Sequence, residues 1–244
     1  MPKTRLDVLL LARGLAPSRQ QAQALILAGE VLVNGQRADK SGQWVAPDAE
    51  LRLLGQPPRF ASRAGEKLAA ALDHFALPVT DRIALDIGSS TGGFTDCLLQ
   101  AGARHVYAFD SGTNQMIWRL RTDPRVTLRE NTNARYLCPE DLPERAELLT
   151  VDVSFISVTL LLPVLVPLLA PGADAVILIK PQFEAGRGQV GKGGLVRDDA
   201  VRQQVIARIQ DAAAAAGLVP QGTLASPVLG ASGNQEYLLH ARLQ

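Results

Sequence analysis

Near its N-terminus the chain changes hydrophobic period every few residues. Leu6, Leu9 and Leu10 recur at helical spacing between Arg5 and Arg13, and Gly14 stops the pattern. Ser18 is placed to cap a second helix whose Ala22, Leu25 and Ile26 share one face as far as Ala28-Gly29. Val31-Leu32-Val33 reads as a strand, and Asn34-Gly35 supplies two residues that tolerate positive φ, the signature of a tight hairpin. Short strands at Trp44-Val45 and Leu51 to Leu54 complete a predicted unit of two helices and a small sheet. Gly55-Gln56-Pro57-Pro58 then breaks the pattern as a linker would.

From about Ser62 the rhythm alternates between helix and wholly apolar strand. A helix is predicted from Ser62 to Phe75. Strands follow at Ile83–Ile87, His105–Phe109, Val126–Arg129, Leu148–Val151 and Ala175–Ile179, with helical segments between them. Strands without polar alternation are those buried on both faces, so a parallel α/β sheet with helices on either side is expected. A long Ala-rich helix ends at Gly217. The patterns Val219–Ala225 and Glu236–Leu243 beyond it, joined by a Gly/Ser/Asn turn, predict a hairpin that puts one antiparallel strand into the sheet. The expected division is residues 1–58 and 59–244.

Charge sharpens the picture. The formal net charge of all 244 residues is +1, yet residues 1–65 hold nine Lys and Arg against five Asp and Glu. A basic front on a mildly acidic body points to an anionic partner, nucleic acid first. The arm from Arg119 through Arg121 to Arg129 extends such a track or forms a solvated helix face. Two cysteines and three scattered histidines fit no metal or disulfide framework, so no metal is expected. Met1-Pro2-Lys3-Thr4-Arg5 has no signal-peptide profile, and the apolar run Val158 to Ala170 is interrupted by Pro163 and Pro167 and too short to cross a bilayer. The expected location is the cytoplasm.

The best local chemical signal is Asp86-Ile87-Gly88-Ser89-Ser90-Thr91-Gly92-Gly93-Phe94, where the first strand of the α/β domain turns into a helix. That is the nucleotide position of a doubly wound sheet. It lacks Gly-x-Gly-x-x-Gly, which argues against a nicotinamide-dependent oxidoreductase. Asp110, ending the second strand, is placed to hydrogen-bond ribose hydroxyls, and a carboxylate at Asp86 favours a cationic ligand over a phosphate. S-adenosylmethionine has a ribose, an ammonium and a sulfonium, and no phosphate. Lys67, Asp152, Lys180 and Glu236 recur at element ends on the same rim. A lysine straight after the apolar run Ala175 to Ile179 needs a carboxylate partner or a depressed pKa, and either makes it a candidate catalytic group.

These motifs resemble those of the TlyA-type methyltransferases, often labelled hemolysins, which join an S4 RNA-binding domain to an FtsJ-like 2′-O-methyltransferase domain. Arg5-Leu6-Asp7, Ser18-Arg19 and Ala28-Gly29 through Val33-Asn34-Gly35 are similar to the S4 module. Ser62-Arg63, Ser90 to Asp96, Asn131 to Arg135, Asp152 to Ser157, Lys180 to Glu184 and Gly233-Asn234 are similar to the catalytic blocks. Glu66, and Ser111-Gly112-Thr113-Asn114 after Asp110, depart from the usual pattern. The chain stops at Gln244, just past its last strand, as the shorter form of the family does.

The resemblance implies a Rossmann-like, seven-stranded methyltransferase sheet with its last strand antiparallel, preceded by a small α+β S4 domain. It implies S-adenosylmethionine held by Asp86, Gly88, Ser90, Thr91, Gly92, Gly93, Phe94, Asp110 and Asn133. Lys67, Asp152, Lys180 and Glu236 fall on the catalytic tetrad: Lys180 as base, Asp152 orienting it, Lys67 and Glu236 placing the ribose. Arg5, Arg13, Arg19, Lys40 and Arg63 are the implied RNA contacts, and ribosomal RNA within ribosomal subunits, its cytidines above all, is the implied substrate. A non-catalytic RNA-binding or ribosome-assembly factor on the same fold is the alternative, against which the intact tetrad argues. The hemolysin label would require a membrane-inserting segment, and none is evident in the sequence.

Overall fold

The computed structural model of the chain describes residues 3–55, 58–230 and 232–244. Gln56 and Pro57 of the expected linker, and Met1 and Pro2 of the N-terminal run, lie outside them. The chain divides into two compact units, residues 1–59 and 60–244.

The first unit runs β1 (Thr4–Arg5), α1 (Leu6–Ala12), α2 (Arg19–Leu27), β2 (Val31–Val33), β3 (Gln36–Arg37), β4 (Trp44–Val45) and β5 (Leu51–Leu53). Ser18 caps α2, its hydroxyl accepting from the Gln21 amide at 3.1 Å. Asn34 and Gly35 both take positive φ, 50° and 79°, so the hairpin turn forms where the sequence predicts it. One small sheet was expected; two are found, a β3-β2-β5 sheet and a separate β1-β4 pair. The reason is edge occupancy. β3 and β5 take both edges of β2, so β4 pairs instead with Thr4-Arg5, which lets Val45 reach the core of Leu6, Leu10, Ile26 and Val31.

The second unit comprises α3 (Ala64–His74), β6 (Ile83–Ile87), α4 (Gly93–Gln100), β7 (His105–Phe109), α5 (Trp118–Arg121), β8 (Val126–Arg129), β9 (Ala146–Val151), α6 (Leu162–Leu165), β10 (Leu169–Ile179), α7 (Pro181–Glu184), α8 (Asp199–Ala215), β11 (Leu218–Ala225) and β12 (Tyr237–Leu243). Seven strands form one sheet in the order β11-β12-β10-β9-β6-β7-β8. β12 runs antiparallel to both neighbours, while β10, β9, β6, β7 and β8 are mutually parallel.

Alternation along each strand feeds two cores. Ile83, Leu85, Ile87, Ile177 and Ile179 pack toward α6 and α8; Ala84, Val176 and Leu178 pack toward Leu68, Leu72, Phe94 and Leu98 of α3 and α4. That is why these strands read as continuous apolar runs. The predicted helices between β7 and β10 are mostly single turns: α5 and α6 have four residues each, and 3-10 turns supply the rest. Pro139, Pro163 and Pro167 sit within these turns, and each removes a backbone donor that a longer helix needs.

Strand order reverses around β6, whose neighbours are β7 on one side and β9 on the other. A ligand crevice is expected outside the carboxyl ends of those strands. Gly88, Asp110, Asp152 and Lys180 are the residues just past β6, β7, β9 and β10.

Candidate active site

The turn after β6 is built for close approach. Gly88 has φ +85°, and a β-carbon there would lie 2.4 Å from the Asp152 carbonyl oxygen. The Gly88 amide donates to the Phe109 carbonyl and the Asp152 amide to that of Ile87, which ties the ends of β6, β7 and β9 together. Asp110 braces the loop from the side: its carboxylate accepts from the Ser90 amide at 2.8 Å and from the Gly112 amide at 2.6 Å. Around these residues opens a cavity of about 420 Å³, bordered by Gly88, Ser90, Asp110, Gln115, Asn133 and Asp152 among others.

Of the nine residues that the sequence assigned to a cofactor, Gly88, Ser90, Asp110 and Asn133 border this cavity and the other five do not. Asp86 is wholly buried beneath the loop, accepting from Thr95 Oγ1 at 2.6 Å and Thr150 Oγ1 at 3.0 Å. Burial pushes its pKa up to about 6, with the two hydroxyls opposing that shift. A carboxyl so enclosed shapes the loop from below and does not face a cationic ligand. Phe94 is a core residue. Gly92 leaves room for Leu120, Gly93 leaves room for Ser62 and Ala64, and Thr91 supplies a carbonyl to the Ile117 amide. These five set the shape of the turn.

A second cavity, about 500 Å³, is bordered by Arg63, Lys67, Lys180, Gln182 and Glu236, and shares Ser154 and Phe155 with the first. Here the four charged residues meet as two ion pairs. Lys67 Nζ lies 2.5 Å from Glu236 Oε2, with both side chains almost wholly buried, and Gln182 Nε2 donates to the other Glu236 oxygen at 3.2 Å. Lys180 Nζ is 2.6 Å from Asp152 Oδ1 and donates to Ser154 Oγ at 2.9 Å. The first of these contacts is a charge contact off the hydrogen-bonding direction, since Asp152 Oδ1 has no hydrogen-bond partner. The Lys180 amine is thus held by two groups from the turn after β9.

The same turn carries Ser154 and Phe155, which the sequence reading placed in a catalytic block without giving either a role of its own. Phe155 adopts φ +66°, uncommon for a bulky side chain, and is 89% exposed. Its ring meets that of Phe183 at 4.9 Å between centroids, beside Lys180. Backbone strain of this kind clusters at functional sites. The signal was faint in the sequence: Ser154 and Phe155 follow Asp152 directly, but nothing in a Phe announces left-handed backbone.

The expected RNA contacts separate differently. Arg63 is exposed at the start of α3 and borders the second cavity. Lys40 is exposed. Arg5 and Arg19 both bind the buried Asp7 carboxylate, at 3.0 Å and 2.9 Å, and hold its pKa well below the usual range, the Arg5 hydrogen bond first among the causes. Arg13 donates to the carbonyls of Ala49 and Pro47. The arm from Arg119 to Arg129 is no open basic track either: its four arginines pair with Asp96, Glu130, Asp123 and Asp141. Among the described residues, none group into a metal-binding cluster and no helix is long and apolar enough to cross a membrane.

Comparison with known proteins agrees with this layout. The profile for FtsJ-like methyltransferases matches residues 60–243, and that for the S4 domain matches residues 4–51. YqxC of Bacillus subtilis is 52% identical, the match covering 98% of this chain and 85% of that protein. The 16S/23S rRNA (cytidine-2′-O)-methyltransferase TlyA of Mycobacterium tuberculosis is 46% identical, over 99% of this chain and 91% of its own. A solved structure from Streptococcus thermophilus that carries the hemolysin name superposes with a TM-score of 0.78 at 45% identity, covering 100% of this chain and 90% of that one.

Proposed function

The chain belongs to the FtsJ-like methyltransferases, and on that footing we propose that it methylates the ribose 2′-oxygen of a cytidine in ribosomal RNA, using S-adenosylmethionine. The observation that carries the reading is the junction of two cavities at Ser154 and Phe155, with Lys180, Asp152, Lys67 and Glu236 gathered beside it as ion pairs.

The first cavity suits the cofactor. Its volume falls within the roughly 300–1,000 Å³ of small-molecule sites. Asp110 offers a carboxylate to ribose hydroxyls, the bare Gly88 backbone permits close approach, and among the described residues no basic side chain borders the space as a phosphate site would want. Gly88, Ser90, Asp110 and Asn133 would hold the cofactor. Bound there, S-adenosylmethionine supplies an electrophilic methyl carbon on its sulfonium and leaves as S-adenosylhomocysteine.

The second cavity takes the nucleotide. A ribose 2′-hydroxyl is a weak nucleophile, and a positioned base contributes about 10²–10⁴-fold. With the cationic sulfonium bound nearby, Lys180 first gives up its ammonium proton to solvent; the neutral Nζ then accepts the hydroxyl proton as the oxygen–carbon bond forms and the carbon–sulfur bond breaks. Asp152 holds that nitrogen by charge and Ser154 by a hydrogen bond, which keeps the amine beside the junction of the two cavities. Lys67 and Glu236 fix the ribose, and alignment of the two reactants contributes more than the proton transfer itself. The exposed face of Phe155 offers a stacking surface to an unstacked base, the form in which RNA is read for sequence.

The test is transfer of label from methyl-labelled S-adenosylmethionine to separated small and large ribosomal subunits, with the product nucleoside then identified. A 2′-O-methylcytidine in ribosomal RNA is expected. Absence of label in both subunits would overturn the reading and favour a non-catalytic RNA-binding role, and label on a base would overturn the ribose as its target.

A further inference from the structure

In the first unit the arginines best placed by sequence to meet RNA are engaged internally: Arg5 and Arg19 with Asp7, and Arg13 with two backbone carbonyls. A single carboxylate offsets one of the two guanidinium charges it binds, so Arg5 and Arg19 together present only about one net charge to a phosphate. Lys3 and Arg37 differ. Neither has a carboxylate partner among the described residues, and both are exposed. They border one cavity of about 270 Å³ between the β2–β3 hairpin and the segment from Gln43 to Ala49.

Trp44 forms a wall of the same cavity, with Asn34, Gln36 and Gln43 around it and, among the described residues, no Asp or Glu in the lining. Alternation on β4 sends Val45 into the core and Trp44 outward, so the indole is not there to fill the interior. It stands 60% exposed. An aromatic face flanked by two unpaired cations and several amides is the composition that single-stranded nucleic acid selects. The base stacks, the phosphates meet the charges, and the amides read edges.

We infer that this cavity is a nucleotide subsite: an unstacked base of the RNA lies on the Trp44 indole, and its flanking phosphates meet Lys3 and Arg37. The inference rests on the RNA reading above and adds to it a second point of grip, on the small unit, for a nucleotide other than the one methylated.

The chain holds two tryptophans, Trp44 and Trp118, so full-length protein carrying Trp118→Phe reports on Trp44 alone. Its emission is expected to quench saturably with a mixed-sequence single-stranded oligoribonucleotide and with ribosomal RNA. Trp44→Ala should weaken RNA binding roughly 5- to 150-fold, the range for loss of one base–aromatic stack. The KM for RNA should rise with it, at unchanged cofactor affinity. Trp44→Phe should recover most of the loss, which a mere folding defect would not predict. Lys3→Glu with Arg37→Glu should flatten the salt dependence of binding. Unquenched Trp44 emission at saturating RNA, quenching by an acidic peptide in place of RNA, or a wild-type KM for Trp44→Ala would each overturn the subsite. Wild-type protein that quenches with RNA yet transfers no methyl group would remove the enzymatic reading and leave the subsite standing.

Discussion

Lys67 and Glu236, separated by 169 positions in the chain, bring their charges to 2.5 Å inside the protein, where 10% and 3% of their side chains remain exposed. Burying two charges is repaid only when each keeps its partner. Glu236→Ala, which strands a buried ammonium, should therefore cost about 3–5 kcal/mol of folding stability. The double variant Lys67→Met with Glu236→Leu should recover most of that while remaining inactive. Urea denaturation of Lys67→Met, Glu236→Leu and the double variant gives the coupling directly. A double variant as unstable as the sum of the singles would mean that the pair is not a unit.

Lys180 is held by Asp152 and Ser154, both in the turn after β9. Lys180→Ala should lower kcat by about 10²–10⁴-fold, the share of a general base, with cofactor affinity unchanged. Lys180→Arg keeps the positive charge and the length, yet a guanidinium does not give up its proton at any working pH. It should be as inactive as the alanine variant. Single-turnover methyl transfer with each protein decides the matter; an active Lys180→Arg would make the residue an electrostatic clamp and not a base.

How much of this was legible in the sequence depends on whether local chemistry or distant packing fixes a feature. The Asn34-Gly35 turn, the Ser18 cap and the doubly buried strand Ile83–Ile87 follow from neighbours in sequence, and the structure has them where the pattern puts them. The β1–β4 pair was not legible, because it arises from β2 having both edges filled, one by its hairpin partner β3 and the other by the later strand β5. In the site, the glycine loop marked the right turn but not which members face the cavity. Thr91, Gly92, Gly93 and Phe94 lie in the same short run as Gly88 and Ser90, and only packing against Leu120, Ser62 and the α3–α4 core separates them. That Arg5 and Arg19 share the Asp7 carboxylate was not legible either, because a sequence does not reveal the burial of an acid.

Asp86 makes a pH-dependent contribution whose sign is opposite to that of a salt-bridged carboxylate. Its folded pKa of about 6 stands above its unfolded value near 3.8. Between those limits the native state binds a proton that the unfolded chain has released, so this group's contribution to stability falls as pH rises from about 4 to 6. Asp86→Asn keeps a neutral side chain able to meet Thr95 and Thr150 at every pH. It should match the parent near pH 4 and exceed it at pH 8 by up to ~3 kcal/mol, the free-energy equivalent of a two-unit shift. Chemical denaturation at both pH values tests this, and a variant less stable at pH 8 than at pH 4, relative to the parent, contradicts it.

Phe155 offers a way to separate stability from activity in one side chain. Its left-handed backbone, φ +66°, costs a bulky residue about 1–3 kcal/mol, and a glycine at that position pays none of it. Glycine also loses the ring contact with Phe183, worth about 0.5–1.5 kcal/mol, and gains backbone freedom in the unfolded chain. Those terms nearly cancel, and the ring is too exposed for its burial to add much. Phe155→Gly should therefore keep folding stability within about 1 kcal/mol of the parent, while methyl transfer at subsaturating RNA drops by at least tenfold for want of a stacking face. Thermal denaturation beside a titration of rate against RNA concentration resolves the two effects. A steep loss of melting temperature would assign the ring to the core, and an unchanged KM for RNA would release it from the substrate.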